Sequence, residues 1–260
     1  MKSIGVFDSG VGGLTVLKAL QARWPGENFV YLADTARLPY GSKSLHTISS
    51  YTAQNIAFLM QYDLKAVVVA CNSASAALLE SPLKCGVPLF NVVEPGARQA
   101  VSRSSGQRIG ILGTRATIHS EAYPHAIRRL NADAQVFQIA CPLLVPLVEE
   151  GWIEDPVTNL IVYRYVSTVS RHQIDTLILG CTHYPVLKTN IAKAAGPQVE
   201  LVDSGQALIE DMESLQLEFS GRGRIQILCT DFSPRLEETI RLLLGGLAFD
   251  ALETVDIKSS

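Results

Sequence analysis

The chain has five cysteines, Cys71, Cys85, Cys141, Cys181 and Cys229, yet no CxxC pair and none of the spacings typical of zinc sites, so no metal is expected. It lacks any Lys/Arg cluster or aromatic-plus-basic stripe. With 22 basic against 25 acidic residues and a formal net charge of −3, nucleic acid is set aside as a partner. No apolar stretch approaches the ~18 residues of a membrane span. Met1-Lys2-Ser3 runs straight into the first expected strand and leaves no room for a signal peptide, so the expectation is a cytoplasmic protein, away from membranes, with free thiols. Low-complexity segments are absent. Nucleotide signatures are incomplete as well. Asp8-Ser9-Gly10-Val11-Gly12-Gly13 has Thr15 where a dinucleotide fingerprint needs its third glycine, and no G-K-[ST] follows.

What is present is a pair of thiols in like surroundings. Val67-Val68-Val69-Ala70-Cys71-Asn72-Ser73 and Leu177-Ile178-Leu179-Gly180-Cys181-Thr182-His183 are short apolar runs, each ending in cysteine and followed by polar residues. Such runs read as buried parallel strands stopping at a helix N-terminus. In open α/β sheets, ligands bind outside the carboxyl ends of the strands, and both thiols are placed there.

The spacing between them recurs. Ile4-Gly5-Val6-Phe7-Asp8 and Ile109-Gly110-Ile111-Leu112-Gly113 are 105 residues apart, Phe29–Ala33 and Gln135–Ile139 are 106 apart, and Cys71 and Cys181 are 110 apart, as are Leu89–Val93 and Val199–Asp203. Four strands in one order at nearly constant offset predict two copies of one α/β unit. Between them, Leu14 to Trp24, Leu45 to Tyr62, Ala116 to Leu130, Pro156 to Arg171 and Ser233 to Leu244 carry helical periodicity. The expectation is two pseudo-symmetric α/β domains, each a mainly parallel sheet flanked by helices, with the site in the cleft between them. Residues 1–94 with 206–260 form the first domain and 95–205 the second, the segment after Ser204 packing back onto the first.

Other candidates gather at the strand ends. The Asp8–Gly13 loop and the next helix N-terminus can cradle an anion through backbone N–H groups. Asp34, ending the second strand, has the spacing of a ribose-binding acid. Pro39-Tyr40-Gly41-Ser42 reads as a turn. His183 has proton-relay chemistry, and Glu149 reads as a solvated helix carboxylate. Among the remaining cysteines, Cys85 falls in a loop, Cys141 precedes Pro142, and Cys229 ends a strand-like run without a partner in the repeat. Two opposed thiols can invert a stereocentre: one removes a proton from carbon while the other delivers one to the opposite face, helped by N–H groups that stabilise the developing charge.

Five segments carry a closer resemblance. Phe7-Asp8-Ser9-Gly10-Val11-Gly12-Gly13-Leu14-Thr15, Asp34-Thr35-Ala36-Arg37 with Pro39-Tyr40-Gly41, Cys71-Asn72-Ser73-Ala74-Ser75-Ala76, Leu144-Val145-Pro146-Leu147-Val148-Glu149 and Gly180-Cys181-Thr182-His183-Tyr184-Pro185 resemble the signature segments of the glutamate racemase family, within the aspartate/glutamate racemase superfamily. The resemblance implies cofactor-independent, two-base interconversion of L- and D-glutamate, the D form supplying peptidoglycan. It implies that Cys71 takes the α-proton of D-glutamate and Cys181 that of L-glutamate, with Asp8, Glu149 and His183 assisting. It implies that Asp8, Ser9, Tyr40, Gly41, Asn72, Ser73, Thr182 and His183 bind the small-molecule substrate, and that the protein is a homodimer. Ser73 departs from the usual threonine of the family but keeps the hydroxyl. An aspartate racemase, another isomerase of the superfamily and a non-catalytic amino-acid-binding protein are the alternatives.

Overall fold

Strands that are apolar on both faces need cover on both faces, which parallel sheets obtain from crossover helices. The computed structural model describes residues 1–214 and 221–257. Its strands are β1 (Ser3–Asp8), β2 (Phe29–Ala33), β3 (Leu64–Val69), β4 (Leu89–Asn91), β5 (Arg108–Gly113), β6 (Gln135–Ala140), β7 (Thr176–Gly180), β8 (Glu200–Asp203), β9 (Ile225–Cys229) and β10 (Ala251–Thr254). They form two sheets, in the orders β10-β9-β2-β1-β3-β4 and β6-β5-β7-β8, with parallel pairings.

The inner order of the first sheet, β2-β1-β3-β4, is repeated as β6-β5-β7-β8. Register repeats too. Ile4 and Gly5 lie opposite Ala66 and Val67, as Ile109 and Gly110 lie opposite Thr176 and Leu177. The duplication expected from the offsets is present in the backbone pairing.

Alternate residues face alternate layers. In β1 to β3, Ile4, Val6, Tyr31, Ala66 and Val68 enter one apolar cluster, and Phe7, Leu32, Val67 and Val69 enter another on the opposite face. The first cluster continues without interruption through Val11 to Leu112, Leu179 and Tyr184 of the second half. The expected boundaries, at residues 94/95 and 205/206, fall near the starts of helices Val93–Arg103 and Ser204–Ser214, which pack against each other.

After residue 220 the chain returns to the first sheet. β9 pairs with β2, β10 adds the edge, and helix Pro234–Leu244 packs on helix Leu14–Arg23. β10 had no sequence signal: it is short, and none of its residues is fully buried. The helix expected over Ala116–Leu130 is two, Arg115–His119 and Ala122–Leu130, because Glu121 takes a left-handed φ of 55°. The Ser120 hydroxyl accepts the Ala122 N–H at 3.2 Å, a local bond that competes with the helical ladder. Helix Leu45–Leu59 stops short of Tyr62.

Candidate active site

Six strand ends point at one cavity of about 290 Å³. Ser9 and Gly10 follow β1, Leu38 to Ser42 follow β2, Cys71 to Ser73 follow β3, Thr114 and Arg115 follow β5, Pro142 to Glu149 follow β6, and Cys181 to His183 follow β7. This is the carboxyl-end placement expected of an open α/β sheet, built from both repeats at once. Cys71, Cys181, Ser9, Tyr40, Gly41, Asn72, Ser73, Thr182, His183 and Glu149 all line the cavity. Asp8 is fully buried and bonded into the loop beside them.

The Asp8–Gly13 loop does not hold an external anion. Its N–H groups at Gly10 and Gly13 donate to Asp8 Oδ2 at 3.3 and 3.0 Å, so the carboxylate being cradled belongs to the chain. The hydroxyl of Thr182, from the other half, donates to Asp8 Oδ1 at 3.5 Å. Burial raises the Asp8 carboxyl above its usual range, offset in part by the charge of His183 and by the two amides. A raised carboxyl suits proton exchange with a thiol, which titrates higher.

Each thiol has its own partners. Cys71, the N-cap of helix Asn72–Glu80, lies 3.5 Å from the Ser9 hydroxyl. Burial, then the negative charge of Asp8, pushes its thiol up to about 12; it is protonated at neutral pH. Cys181 Sγ lies 3.9 Å from His183 Nδ1, and His183 Nε2 is 3.1 Å from Glu149 Oε1. Burial works against charge on His183, but hydrogen bonds and attraction to Cys181 and Glu149 outweigh it and push the imidazole up to about 10. Glu149, with its side chain 35% exposed, is therefore tied to the site rather than simply solvated.

Glycines bring the halves close. A Cβ on Gly12 would stand 2.3 Å from His183 Nδ1, and one on Gly41 would stand 2.7 Å from Thr114 Cβ. Thr15 Oγ1 donates to the Thr182 carbonyl at 2.8 Å, closing the same seam.

Two sequence candidates have other employment. Asp34 is fully buried and takes bonds from Arg37, the Tyr40 hydroxyl, Asn55 and Thr230. Its oxygens are occupied by the chain's own donors, so Asp34 does not act as the ribose-binding acid its spacing suggested. Tyr40 consequently offers the cavity its ring and backbone, its hydroxyl being held by Asp34 and Asn55. Asn72 lines the cavity while its carboxamide oxygen accepts from Tyr123 at 2.7 Å. Ser73 Oγ is 2.9 Å from Thr114 Oγ1 and 3.3 Å from Thr117 Oγ1.

Cys229 bonds back to the carbonyl of Glu253 at 3.6 Å, away from the cavity wall, and Cys85 lies in a loop. Cys141 is buried, its thiol raised by burial, while its carbonyl accepts the Tyr184 hydroxyl at 3.0 Å. Sequence reasoning missed Thr114 and Arg115. The repeat offset contained the signal for Thr114, which lies 105 residues beyond Ser9 at the equivalent strand end.

Two repeated halves, each contributing a buried thiol with its own polar partners to one cavity, define an α/β racemase-type site. A profile described as Asp/Glu/Hydantoin racemase matches residues 14–212, and the chain belongs to that family. It is thus a racemase, an isomerase. The glutamate racemase of Sulfurihydrogenibium sp. is 42% identical over 258 residues, covering 98% of this chain and 99% of its own length. That of Syntrophus aciditrophicus is 49% identical over 208 residues, covering 80% and 77%. Among solved structures, a glutamate racemase isoform from Bacillus anthracis superposes with a TM-score of 0.91 at 33% identity, covering 98% of this chain and 97% of its own. The Francisella tularensis glutamate racemase in complex with D-glutamate gives 0.88 at 32%, covering 100% and 99%.

Proposed function

We propose that this chain interconverts L- and D-glutamate by two-base proton transfer, with Cys71 and Cys181 on opposite faces of the substrate α-carbon. The observation that carries the reading is the placement of two buried thiols at matching strand ends of a duplicated fold, both lining one cavity. The names of the relatives supply the substrate.

In the L-to-D direction Cys181 removes the α-proton, and His183, itself bonded to Glu149, balances the charge at that sulfur. Cys71, protonated at rest, delivers its proton to the other face. In the reverse direction Cys71 first yields its proton to Asp8 and Cys181 takes one from the His183 imidazolium; Cys71 then takes the α-proton of D-glutamate while Cys181 donates. Removing a proton α to a carboxylate builds negative charge on that carboxylate, which backbone N–H groups after β3 and β7 receive, those of the loop after β1 being taken by Asp8. Ser9, Tyr40, Gly41, Asn72, Ser73 and Thr182 hold the carboxylates and ammonium. Every proton donor and acceptor in this scheme is a protein side chain, so no cofactor is required. We also propose that residues 1–94 with 206–260 and residues 95–205 act as the two halves, that the protein is a cytoplasmic homodimer, and that its D-glutamate supplies peptidoglycan.

The test is α-proton exchange of L-glutamate in D₂O, followed by NMR and circular dichroism with no added cofactor. Wild type is expected to incorporate deuterium and lose optical activity, while Cys71→Ala and Cys181→Ala do not racemise. Exchange with aspartate but not glutamate would replace the substrate. Racemisation by either alanine variant would overturn the two-base reading.

A further inference from the structure

Charge on the cavity wall does not cancel. Three side chains with charge at neutral pH line it: Glu149, His183 and Arg115. The first two are a compensated pair, 3.1 Å apart. Among the described residues, no ion pair involves Arg115.

Its position is nonetheless fixed. Arg115 follows Thr114, whose Oγ1 is 2.9 Å from Ser73 Oγ across the seam and accepts the Thr117 N–H at 3.2 Å. Gly41 packs directly on Thr114. The backbone of Arg115 is thereby anchored where the two halves meet, while its side chain is exposed at the rim. Tyr165, a neutral phenol on helix Pro156–Ser170, is acted on electrostatically by both Arg115 and Arg164, a second cation on the same helix. Among the described residues, no ion pair involves Arg164 either.

A neutral amino acid is a zwitterion with no net charge, whereas a dicarboxylic amino acid carries a net negative charge at neutral pH. We propose that Arg115 is a specificity-determining residue that draws the substrate's second carboxylate to the cavity mouth. The inference rests on the reading of the substrate as glutamate. An exposed cation acting through water contributes to encounter and binding rather than to proton transfer. Its effect is screened over about 8–10 Å at physiological salt.

The test is steady-state racemisation of L-glutamate by wild type, Arg115→Gln and Arg115→Lys at low salt and at ~0.5 M NaCl. At low salt R115Q is expected to raise KM about three- to tenfold with kcat within about twofold, and R115K to stay near wild type. Added salt should raise the wild-type KM toward that of R115Q and leave R115Q nearly unchanged. An unchanged KM and salt response in R115Q would overturn the role of Arg115, as would a loss confined to kcat. Absence of turnover in wild type would instead overturn the glutamate reading, so the two failures are separable.

Discussion

Replacing Gly12 by alanine adds one methyl group at the most crowded point of the seam. The new Cβ would stand 2.3 Å from His183 Nδ1, 2.4 Å from His183 Cε1 and 2.5 Å from Thr182 Oγ1. Ordinary contact requires the ring to retreat by about 1 Å, and overpacking of this kind costs about 1–3 kcal/mol. A protein with the low end of ordinary stability, about 5 kcal/mol, would retain about 2 kcal/mol and remain folded to within a few per cent. Catalysis should suffer far more. The ring is held by Glu149 at 3.1 Å and lies 3.9 Å from Cys181, and a shift of about 1 Å in such a group costs on the order of 100-fold. The measurement pairs urea denaturation with kcat/KM for racemisation by circular dichroism. Gly12→Ala should lower the urea midpoint modestly and kcat/KM by about two orders of magnitude. A loss of activity no larger than the unfolded fraction would refute the reasoning, because the seam would then have no part in placing His183.

His183 gives a pH window. Its folded value of about 10 lies above the ordinary 6.5, so its contribution to stability is complete below about pH 6.5 and is lost as pH rises through about 10; Glu149→Gln should bring the upper end down, read by NMR titration of the imidazole and by urea midpoints across that range. Asp34→Ala strands Arg37, Asn55 and the Tyr40 hydroxyl and should cost about 3–5 kcal/mol, lowering Tm by about 2–4 °C for each kcal/mol and raising KM as the Tyr40 wall loosens. An unshifted melting curve for Asp34→Ala would show that the buried network is dispensable.

The strands were legible because residues such as Val67 to Val69 and Leu177 to Leu179 are buried on both faces, which leaves a continuous apolar run. The repeat was legible because β1, β3, β5 and β7 keep their register, and register constrains offset. Helix breaks were not: Glu121 is an ordinary helix former, and its left-handed φ comes from the competing Ser120 bond. Residue pattern alone could not tell Glu149 from a solvated carboxylate, and only the family resemblance singled it out, because its partner lies 34 positions away. Asp34 failed as a ribose acid for the same reason, since its partners Asn55 and Thr230 arrive from distant segments. The glycine loop had the right chemistry for an anion, but Asp8 supplies that anion itself.

The two thiols occupy matching places yet keep unlike company, Asp8 and Ser9 on one side and His183 and Glu149 on the other. Enantiomers are equal in free energy, so a racemase has an equilibrium constant of one, and kcat/KM must be the same in both directions. Unequal partners can therefore express themselves only as kcat and KM values that rise or fall together from one direction to the other. A substitution beside either sulfur lowers forward and reverse kcat/KM by one common factor, and selection acting on one direction of flux necessarily reshapes the other.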